Sequence, residues 1–297
     1  MRYNWKYSMK NRIRCVVCKD SMGQKLSAWH FVCASCGYES AALESSINQI
    51  ETHAVMDEGR REDALRALRA LNFESLLNAV DGVRVTRGRL LDVGCAHGWF
   101  LDAAFKRGYQ VQGIEPDEHI FNERQANALP ARLGYFPQVL NKSEKFDFIV
   151  FNDVLEHIPN VSDALTACAE HLTPNGLLIL NLPDSSGIFY RLSKLLMRCD
   201  IPGFFKRMWQ VGLPSPHVHY FNESNLSRLL ESHGFTVAKT GHLETLHWSG
   251  LYSRISYANR SRFQIMSMLI FAVVAAVLPL LKILPGDILY VIATRRD

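Results

Sequence analysis

The sequence has little surplus charge, no apolar leader and only one long apolar run. A net charge of +4 over 297 residues argues against the densely basic surface of a nucleic-acid binder, although it suits an anionic membrane face. The N-terminal letters MRYNWKYSMKNRIRC hold no continuous apolar stretch, so we expect no secretory leader. With 48% hydrophobic and 21% charged residues, the chain should form one large globular domain and one small domain.

The cysteines are few and unevenly placed. Of seven, four form two pairs, Cys15-x2-Cys18 and Cys33-x2-Cys36. Two residues between cysteines let both thiolates reach one ion from a single turn, and two such turns complete a tetrahedral sulfur shell. Gly37 follows the second pair, where such a turn commonly needs positive φ. The pattern predicts a zinc ribbon in a reducing compartment, with a structural Zn2+ because four sulfurs leave no open coordination position.

The strongest functional pattern follows residue 88. RLLDV is an apolar strand, GCAHG a turn of small residues, WFLDAAFKRG an amphipathic helix, and YQVQGIEPD a second strand that ends in an acid. This order is a βαβ unit. Gly94 and Gly98 let the backbone approach a ligand, and Glu115 stands where an acid accepts hydrogen bonds from ribose hydroxyls. The spacing of these glycines differs from the G-x-G-x-x-G of a dehydrogenase.

From about residue 88 to its end, the chain resembles the class I S-adenosylmethionine-dependent methyltransferases. LLDVGCAHG is similar to their first motif, and KFDFIVFNDVLEHIPN resembles their fourth strand with its following loop. Later segments resemble the fifth strand, the region up to the sixth strand, and the antiparallel seventh strand, PGDILYVIATRR. The resemblance implies an α/β fold, a Rossmann-like seven-stranded sheet with helices on both faces, preceded here by the small zinc ribbon.

The same resemblance implies which residues hold S-adenosylmethionine. Asp92 and the turn would hold its methionine end, and Glu115 its ribose. Ala96 stands where glycine is more usual, and alanine still permits close approach if its φ stays negative. No acid follows the third strand, so backbone groups near Tyr135 would contact the adenine. The predicted cofactor-binding residues are Asp92, Gly94, Cys95, Ala96, Gly98, Glu115, Pro116, Tyr135, Asn152, Asp153 and Val154.

Three histidines are candidates for the acid–base chemistry. Methyl transfer from a sulfonium depends mainly on alignment, and an oxygen acceptor often needs a base with a pKa near neutral. Histidine fits this need, and the predicted catalytic residues are His157, His217 and His219. A direct role for His157 and a role in loop structure are equally open. His217 and His219 alternate along the chain, so only one of them should face the site.

The leading hypothesis is a methyltransferase of a small-molecule or lipid-linked acceptor, in glycan, cell-surface or isoprenoid-lipid biosynthesis. Residues 185–215 mix large apolar side chains with arginine and lysine, which suits an anionic membrane or a lipid-phosphate substrate. A lid packed on the protein is an equal alternative for this segment. Two other functions stay open: an rRNA or tRNA methyltransferase with a zinc-ribbon head, and a non-catalytic interaction protein. The modest charge disfavours the first, and we expect no nucleic-acid partner.

The sequence divides into a zinc ribbon over residues 1–42, a helical connector over 43–86 and a methyltransferase domain over 87–297. The connector should be amphipathic, because its apolar residues recur at helical spacing. Its predicted buried side consists of Ala64, Leu68, Leu71, Leu76 and Val80.

The apolar run at residues 265–284 is long enough to cross a bilayer as a helix. The last strand must return to the sheet, however, so a single crossing would separate that strand from its domain. We therefore expect an insertion at residues 263–285 that enters one leaflet as a monotopic contact or caps the site. The protein should be cytoplasmic and peripheral at the inner face of the cytoplasmic membrane.

Overall fold

The structure, a computed structural model, describes residues 13–47, 58–124, 129–246 and 284–296, with four isolated positions between 268 and 275. Most of the apolar run at residues 265–284, and with it the predicted leaflet insertion, lies outside the described residues. Within the described ranges, no helix is both long enough and apolar enough to span a bilayer.

The cysteine-rich region forms a small antiparallel sheet. Its strands are β1 (Met22–Gln24), β2 (His30–Cys33) and β3 (Glu39–Ala41), which pair in chain order. A fourth strand, β9 (His219–Tyr220), pairs with β3 although it lies almost two hundred residues further along the chain. The ribbon sheet is therefore completed by a segment of the methyltransferase region.

The second sheet has seven strands and follows the order β10-β11-β8-β7-β4-β5-β6. Five neighbouring strands are parallel, and β11 runs antiparallel to both β10 and β8. This topology confirms the predicted fold class. The bounds are β4 (Arg89–Val93), β5 (Gln110–Glu115), β6 (Ala131–Leu133), β7 (Phe146–Asn152), β8 (Leu172–Pro183), β10 (Phe235–Leu243) and β11 (Ile288–Arg295).

Seven α-helices accompany the sheets in the described residues. They are α1 (Glu58–Asp81), α2 (Trp99–Lys106), α3 (Glu118–Arg124), α4 (Val161–His171), α5 (Ile188–Arg198), α6 (Pro202–Met208) and α7 (Glu223–Ser232), with a 3-10 turn at Leu155–His157. The N-termini of α4 and α7 are capped by Asn160 and Asn222, whose side-chain oxygens accept hydrogen bonds from backbone N–H groups three residues on.

The parallel strands are buried on both faces. Alternate residues such as Leu90 and Leu91 pack into two separate apolar clusters, one on each side of the sheet. The cluster that holds Leu91 also contains Cys15, Cys33 and Tyr38 of the ribbon. The ribbon therefore shares a hydrophobic core with the main sheet.

Helix α1 differs in one respect from its predicted amphipathic pattern. Leu68, Leu76 and Val80 are buried as expected, but Leu71 is exposed. Asn72 is buried in its place, where its side chain donates to the carbonyl of Glu244 and accepts from the N–H of the same residue. The apolar stripe is thus centred one position further along the helix, and Leu71 lies at its edge.

Candidate active site

The glycine turn between β4 and α2 has the backbone geometry of a close-approach loop. Gly94 and Gly98 have φ values of 71° and 79°. A Cβ atom on Gly94 would lie 2.6 Å from a methyl carbon of Val154, so only glycine fits there. Ala96 does not meet the condition of a negative φ, because its φ is 43°. This left-handed conformation costs a non-glycine residue about 1 kcal/mol, which neighbouring bonds must offset.

Glu115 supplies one such bond. Its carboxylate is buried at the end of β5, where Oε2 accepts from the N–H of Ala96 at 2.8 Å and Oε1 accepts from the N–H of Asp117 at 2.9 Å. The acid thereby ties the glycine turn to the loop that starts α3. Asp117 in turn accepts from the N–H groups of His119 and Ile120, which begins that helix. Pro116 lies between the two acids. Glu115, with its predicted ribose contact, therefore stands in a loop that these hydrogen bonds hold in place.

A row of polar side chains crosses three strands at the same edge of the sheet. Asn181 on β8 donates to Asn152 at 3.1 Å, and Asn152 on β7 donates to Asp92 on β4 at 3.4 Å. Asp92 and Asn181 are buried, and the side-chain oxygen of Asn181 has no hydrogen-bond partner among the described residues. Asn181 is not among the residues predicted from the sequence, because a single asparagine inside the apolar run LLILNLP carries no spacing pattern.

The loop after β7 lies against the glycine turn. Asp153 has a φ of 54° and donates its N–H to the carbonyl of Asn181. Val154 packs on Gly94 and fills the space that a side chain at that position would need. Cys95 is buried behind the turn, and Tyr135 is 54% exposed in the loop after β6. The predicted cofactor-binding residues therefore surround the carboxyl ends of β4, β5, β6 and β7, and their contacts to a cofactor stay a prediction.

Two of the predicted catalytic histidines lie together. The rings of His157 and His217 have centroids 4.7 Å apart, and Nε2 of each lies 3.9 Å from Oε1 of Glu156. Nδ1 of His157 lies 3.0 Å from the carbonyl oxygen of Pro216, and Gln210 donates to Nε2 of His217. Burial and the neighbouring His157 lower the pKa of His217 to about 3, so His217 is neutral at physiological pH.

Glu156 is the residue of this cluster that was not predicted from the sequence. Its side chain is 1% exposed, and among the described residues neither carboxylate oxygen accepts a hydrogen bond. Burial and the nearby charge of Asp153 raise its pKa well above the usual value. A buried carboxylate beside two imidazoles can share a proton with them or bind a divalent cation, and the ligand atoms of Glu156, His157 and His217 lie within 4.8 Å of one another.

His219 faces the other way, as alternation along the chain predicts. It is buried, its Nε2 lies 2.9 Å from the carbonyl oxygen of Ile158, and its Nδ1 contacts the hydroxyl of Tyr38. Burial lowers its pKa to about 4. Both ring nitrogens are engaged between the ribbon and the main domain, which argues against His219 as the base that receives a proton from an acceptor.

The four ribbon cysteines come together as the spacing predicts. Sγ of Cys15 lies 3.5 Å from Sγ of Cys36, Sγ of Cys18 lies 3.3 Å from Sγ of Cys33, and all four sulfurs lie within 4.8 Å of one another. Gly37 has the expected positive φ of 72°. A tetrahedral zinc ion with bonds of about 2.3 Å requires sulfurs about 3.8 Å apart, so the cluster fits Zn2+.

Comparison with known proteins agrees with this geometry. Residues 57–240 match the model of a methyltransferase domain family. Two curated relatives are ubiquinone biosynthesis O-methyltransferases: that of Bradyrhizobium diazoefficiens is 29% identical over 35% of this chain and 42% of its own length, and that of Colwellia psychrerythraea is 27% identical over 52% and 65%. The chain thus spans about two fifths of the length of the first of these relatives.

A solved structure gives the same picture of the fold. The S-adenosylmethionine-dependent methyltransferase of Archaeoglobus fulgidus is 17% identical, with a TM-score of 0.53 over 81% of this chain and all of its own. The family match covers well over half of the sequence. This chain belongs to the methyltransferase domain family.

Proposed function

We propose that the protein is an S-adenosylmethionine-dependent methyltransferase that acts on a hydroxyl oxygen of a small-molecule or lipid-linked acceptor. One observation carries this proposal. Val154 touches Gly94 of the glycine turn, and the 3-10 turn that follows it ends at His157. An imidazole therefore lies one helical turn away from the loop that would hold the methionine end of the cofactor. This arrangement supports a base next to the cofactor at the carboxyl edge of the sheet.

Methyl transfer requires the protein mainly to align the acceptor with the cofactor. A methyl group leaves a sulfonium by in-line displacement, so the acceptor oxygen must lie opposite the sulfur and must lose its proton. Nδ1 of His157 faces the carbonyl of Pro216, and a carbonyl only accepts, so the proton of a neutral ring belongs on Nδ1. Nε2 is then the basic nitrogen, and it faces the cluster with Glu156.

The groups around His157 suit this role. His217 stays neutral, so it does not repel the charge that His157 gains on taking a proton. Glu156 is close enough to stabilise that charge when ionised, since its oxygen lies 3.9 Å from Nε2. A divalent cation bound to Glu156, His157 and His217 would occupy Nε2 of His157, and its Lewis acidity would then replace the histidine base by lowering the pKa of the acceptor hydroxyl.

The choice of oxygen rests on the relatives, whose printed names end in O-methyltransferase. A phenolic hydroxyl has a pKa near 10, which a histidine base can handle more readily than an alcohol. We therefore infer a hydroxylated aromatic acceptor.

Contact with an anionic membrane belongs to the same proposal. Four large apolar side chains of the α5–α6 hairpin are exposed, which for a packed lid would be unfavourable. Basic side chains on the same two helices are exposed as well, and they would attract anionic lipid headgroups. The exposed apolar residues are Leu192, Leu195, Ile201 and Phe204, and the basic ones are Arg191, Arg198, Lys206 and Arg207.

A transfer assay tests the function. Purified protein is incubated with S-adenosylmethionine that carries a deuterated methyl group, and with catechol or a prenylated catechol as the acceptor probe. We expect the deuterated methyl group on an oxygen of the probe, more of it on the prenylated compound, and almost none with His157→Asn. Absence of transfer from wild-type protein to either probe and to a total lipid extract would contradict the proposal.

A further inference from the structure

Strand β3 of the ribbon pairs with the segment that carries His217 and His219. Ser40 pairs with His219 and Glu39 with Tyr220 across the β3–β9 ladder. The N–H of Ala41 also donates to the carbonyl of Val218 at 3.0 Å. Strand β9 is only two residues long, and its backbone partner in the described part of the chain is β3. The ribbon therefore holds the backbone of residues 218–220 on one side.

The opposite side of the same segment contacts the loop that holds the base. The N–H of Val218 donates to the carbonyl of Glu156 at 2.8 Å, and the carbonyl of Pro216 faces Nδ1 of His157 at 3.0 Å. Residues 216–219 thus lie between the ribbon and residues 156–158. Backbone hydrogen bonds hold this segment on both sides. A shift of β3 would therefore be transmitted through it to residues 156–158.

Tyr38 and His219 form a second connection, through side chains. The Tyr38 hydroxyl contacts Nδ1 of His219, and Nε2 of His219 lies 2.9 Å from the carbonyl of Ile158, next to His157. Since the carbonyl only accepts, Nε2 carries the proton of the neutral ring and Nδ1 accepts from Tyr38. The Tyr38 hydroxyl therefore donates to His219, and His219 donates to the carbonyl of Ile158. Tyr38 and His219 are both buried, so water does not replace a lost bond.

Glu39 connects the ribbon to the α5–α6 hairpin. Its buried carboxylate contacts Nε2 of His30 at 2.7 Å, and accepts from the Tyr190 hydroxyl at 2.8 Å and from Nζ of Lys194 at 2.5 Å. Although burial alone raises its pKa, His30 and Lys194 lower that pKa below the usual value, so the carboxylate is ionised. Removing its charge leaves its partners on α5 poorly paired.

Aromatic packing surrounds this ion pair. Trp29 of the ribbon stacks on Phe205 of α6 with centroids 5.6 Å apart, and Tyr190 stacks on Tyr220 at 4.1 Å. Trp209 contacts both Trp29 and Tyr220. The interface between the ribbon and the hairpin is therefore a packed core with one satisfied charge at its centre.

We propose that Tyr38 and Glu39, adjacent residues of the zinc ribbon, are positioning residues of the methyl-transfer reaction: Tyr38 sets the place of residues 156–158 through His219, and Glu39 sets the α5–α6 hairpin over the acceptor. The ribbon is thus a wall of the acceptor site and not a separate binding module. This inference rests on the proposed function only in naming that site the acceptor side. The cysteine cluster lies next to both residues, since the N–H of Cys33 donates to the carbonyl of Tyr38 at 2.9 Å.

Matched hydroxyl deletions test the role of Tyr38. Tyr38→Phe and Tyr109→Phe each remove one hydroxyl from a buried tyrosine, and Tyr109 contacts Asp81 on the side of α1, away from the histidines. We expect Tyr38→Phe to lower kcat/KM for the prenylated catechol about tenfold, with KM for S-adenosylmethionine within about twofold of wild type. The pH dependence of its kcat should change as well, since Ile158, next to His157, loses its connection through His219 to Tyr38. Tyr109→Phe should match wild type in all of these.

Hydrogen exchange and a second variant keep the inference testable without turnover. Zinc content by mass spectrometry should stay at one ion per chain in Tyr38→Phe and in Glu39→Gln. Peptides that cover residues 155–158 and 217–221 should exchange about tenfold faster in Tyr38→Phe, and those that cover 188–208 should do so in Glu39→Gln. Equal exchange in these peptides in all variants, or equal loss of S-adenosylmethionine affinity and acceptor turnover, would overturn the inference. Failure of wild-type turnover alone would instead contradict the proposed function.

Discussion

The cofactor side and the acceptor side of this protein are built in different ways. The cofactor side is built around one turn and one acid between residues 89 and 117, with further predicted residues from the loops after β6 and β7. The acceptor side is assembled from the ribbon, the loop after β7, the α5–α6 hairpin and β9, which lie far apart in the sequence. A site made of one local segment keeps its geometry when distant parts change, whereas an assembled site depends on every segment that contacts it.

The largest effect should come from the acid of the local site. Glu115→Ala removes two backbone hydrogen bonds that hold the turn, including the one at Ala96, whose strained φ then has no support. Bonds to a charged group contribute about 1.5–3 kcal/mol each, so affinity for S-adenosylhomocysteine should fall by about three orders of magnitude. Titration calorimetry measures it. Glu231→Ala, which removes an exposed acid on α7, serves as the control and should bind as wild type does. Undiminished binding by Glu115→Ala would mean that the cofactor lies elsewhere.

The second effect separates binding from chemistry on the acceptor side. His157→Asn removes the proposed base, and kcat should fall by about a hundredfold, the usual range for loss of a general base. Affinity for S-adenosylhomocysteine should stay unchanged, because the turn does not depend on the imidazole. His233→Asn at the end of α7 is the matched control. A loss of cofactor affinity in His157→Asn equal to its loss of rate would show that this histidine only supports the loop.

The local site is also the part that the sequence predicts best. Asp92, Gly94, Gly98 and Glu115 follow one another in a pattern whose backbone demands are known, so their places at the ends of β4 and β5 could be predicted. Even there, the positive φ of Ala96 could not be predicted, because the hydrogen bond from its N–H to Glu115 does not follow from the spacing of the motif. The seven-stranded sheet with its antiparallel last strand followed from the resemblance of the chain to a known family.

For the assembled site, the sequence predicts individual residues but not how they come together. His157 and His217 were found because histidine suits the chemistry, but nothing in the sequence pairs them with each other or with Glu156. The junction of β3 with β9 was missed for the same reason, since each strand is only two or three residues long and carries no register signal. Tyr38 and Glu39 follow the second cysteine pair and read as ordinary ribbon residues.

A third prediction concerns acid stability. Burial lowers the pKa of His219 to about 4, so between pH 6.5 and about 4 the unfolded chain binds a proton there that the folded chain does not. This contribution to stability is complete above pH 6.5 and is lost as pH falls, by about 1.4 kcal/mol per pH unit. His219→Gln should therefore flatten the fall in unfolding free energy over that range, measured by urea denaturation.

Neighbouring groups set the background for that measurement. His217, with a pKa lowered to about 3, adds the same trend in both proteins, and Glu156 opposes it because its pKa is raised. The difference between wild type and His219→Gln removes both contributions. Identical slopes in the two proteins would mean that the His219 ring is not buried between Tyr38 and Ile158.

The smallest effect should be on membrane contact by the hairpin. Phe204→Ser removes an exposed ring, and binding to vesicles that contain phosphatidylglycerol should weaken about fivefold, the loss of roughly 1 kcal/mol of apolar burial. Phe105→Ser on α2 is a matched control, since the two rings are 53% and 56% exposed. Flotation with anionic and with neutral vesicles measures the difference. Equal weakening by both substitutions would assign no special role to the α5–α6 surface.

Hydrogen exchange with S-adenosylhomocysteine bound, before and after a chelator removes zinc, compares the two sides in a single measurement. Peptides that cover residues 90–98 and 111–117 should keep their protection, because the hydrogen bonds that hold the turn and Glu115 lie within the main domain. Peptides that cover residues 155–158 and 217–221 should lose protection together, because β9 then loses its partner strand β3. Loss of protection on both sides, or on neither, would contradict the account of one local site joined to one assembled site.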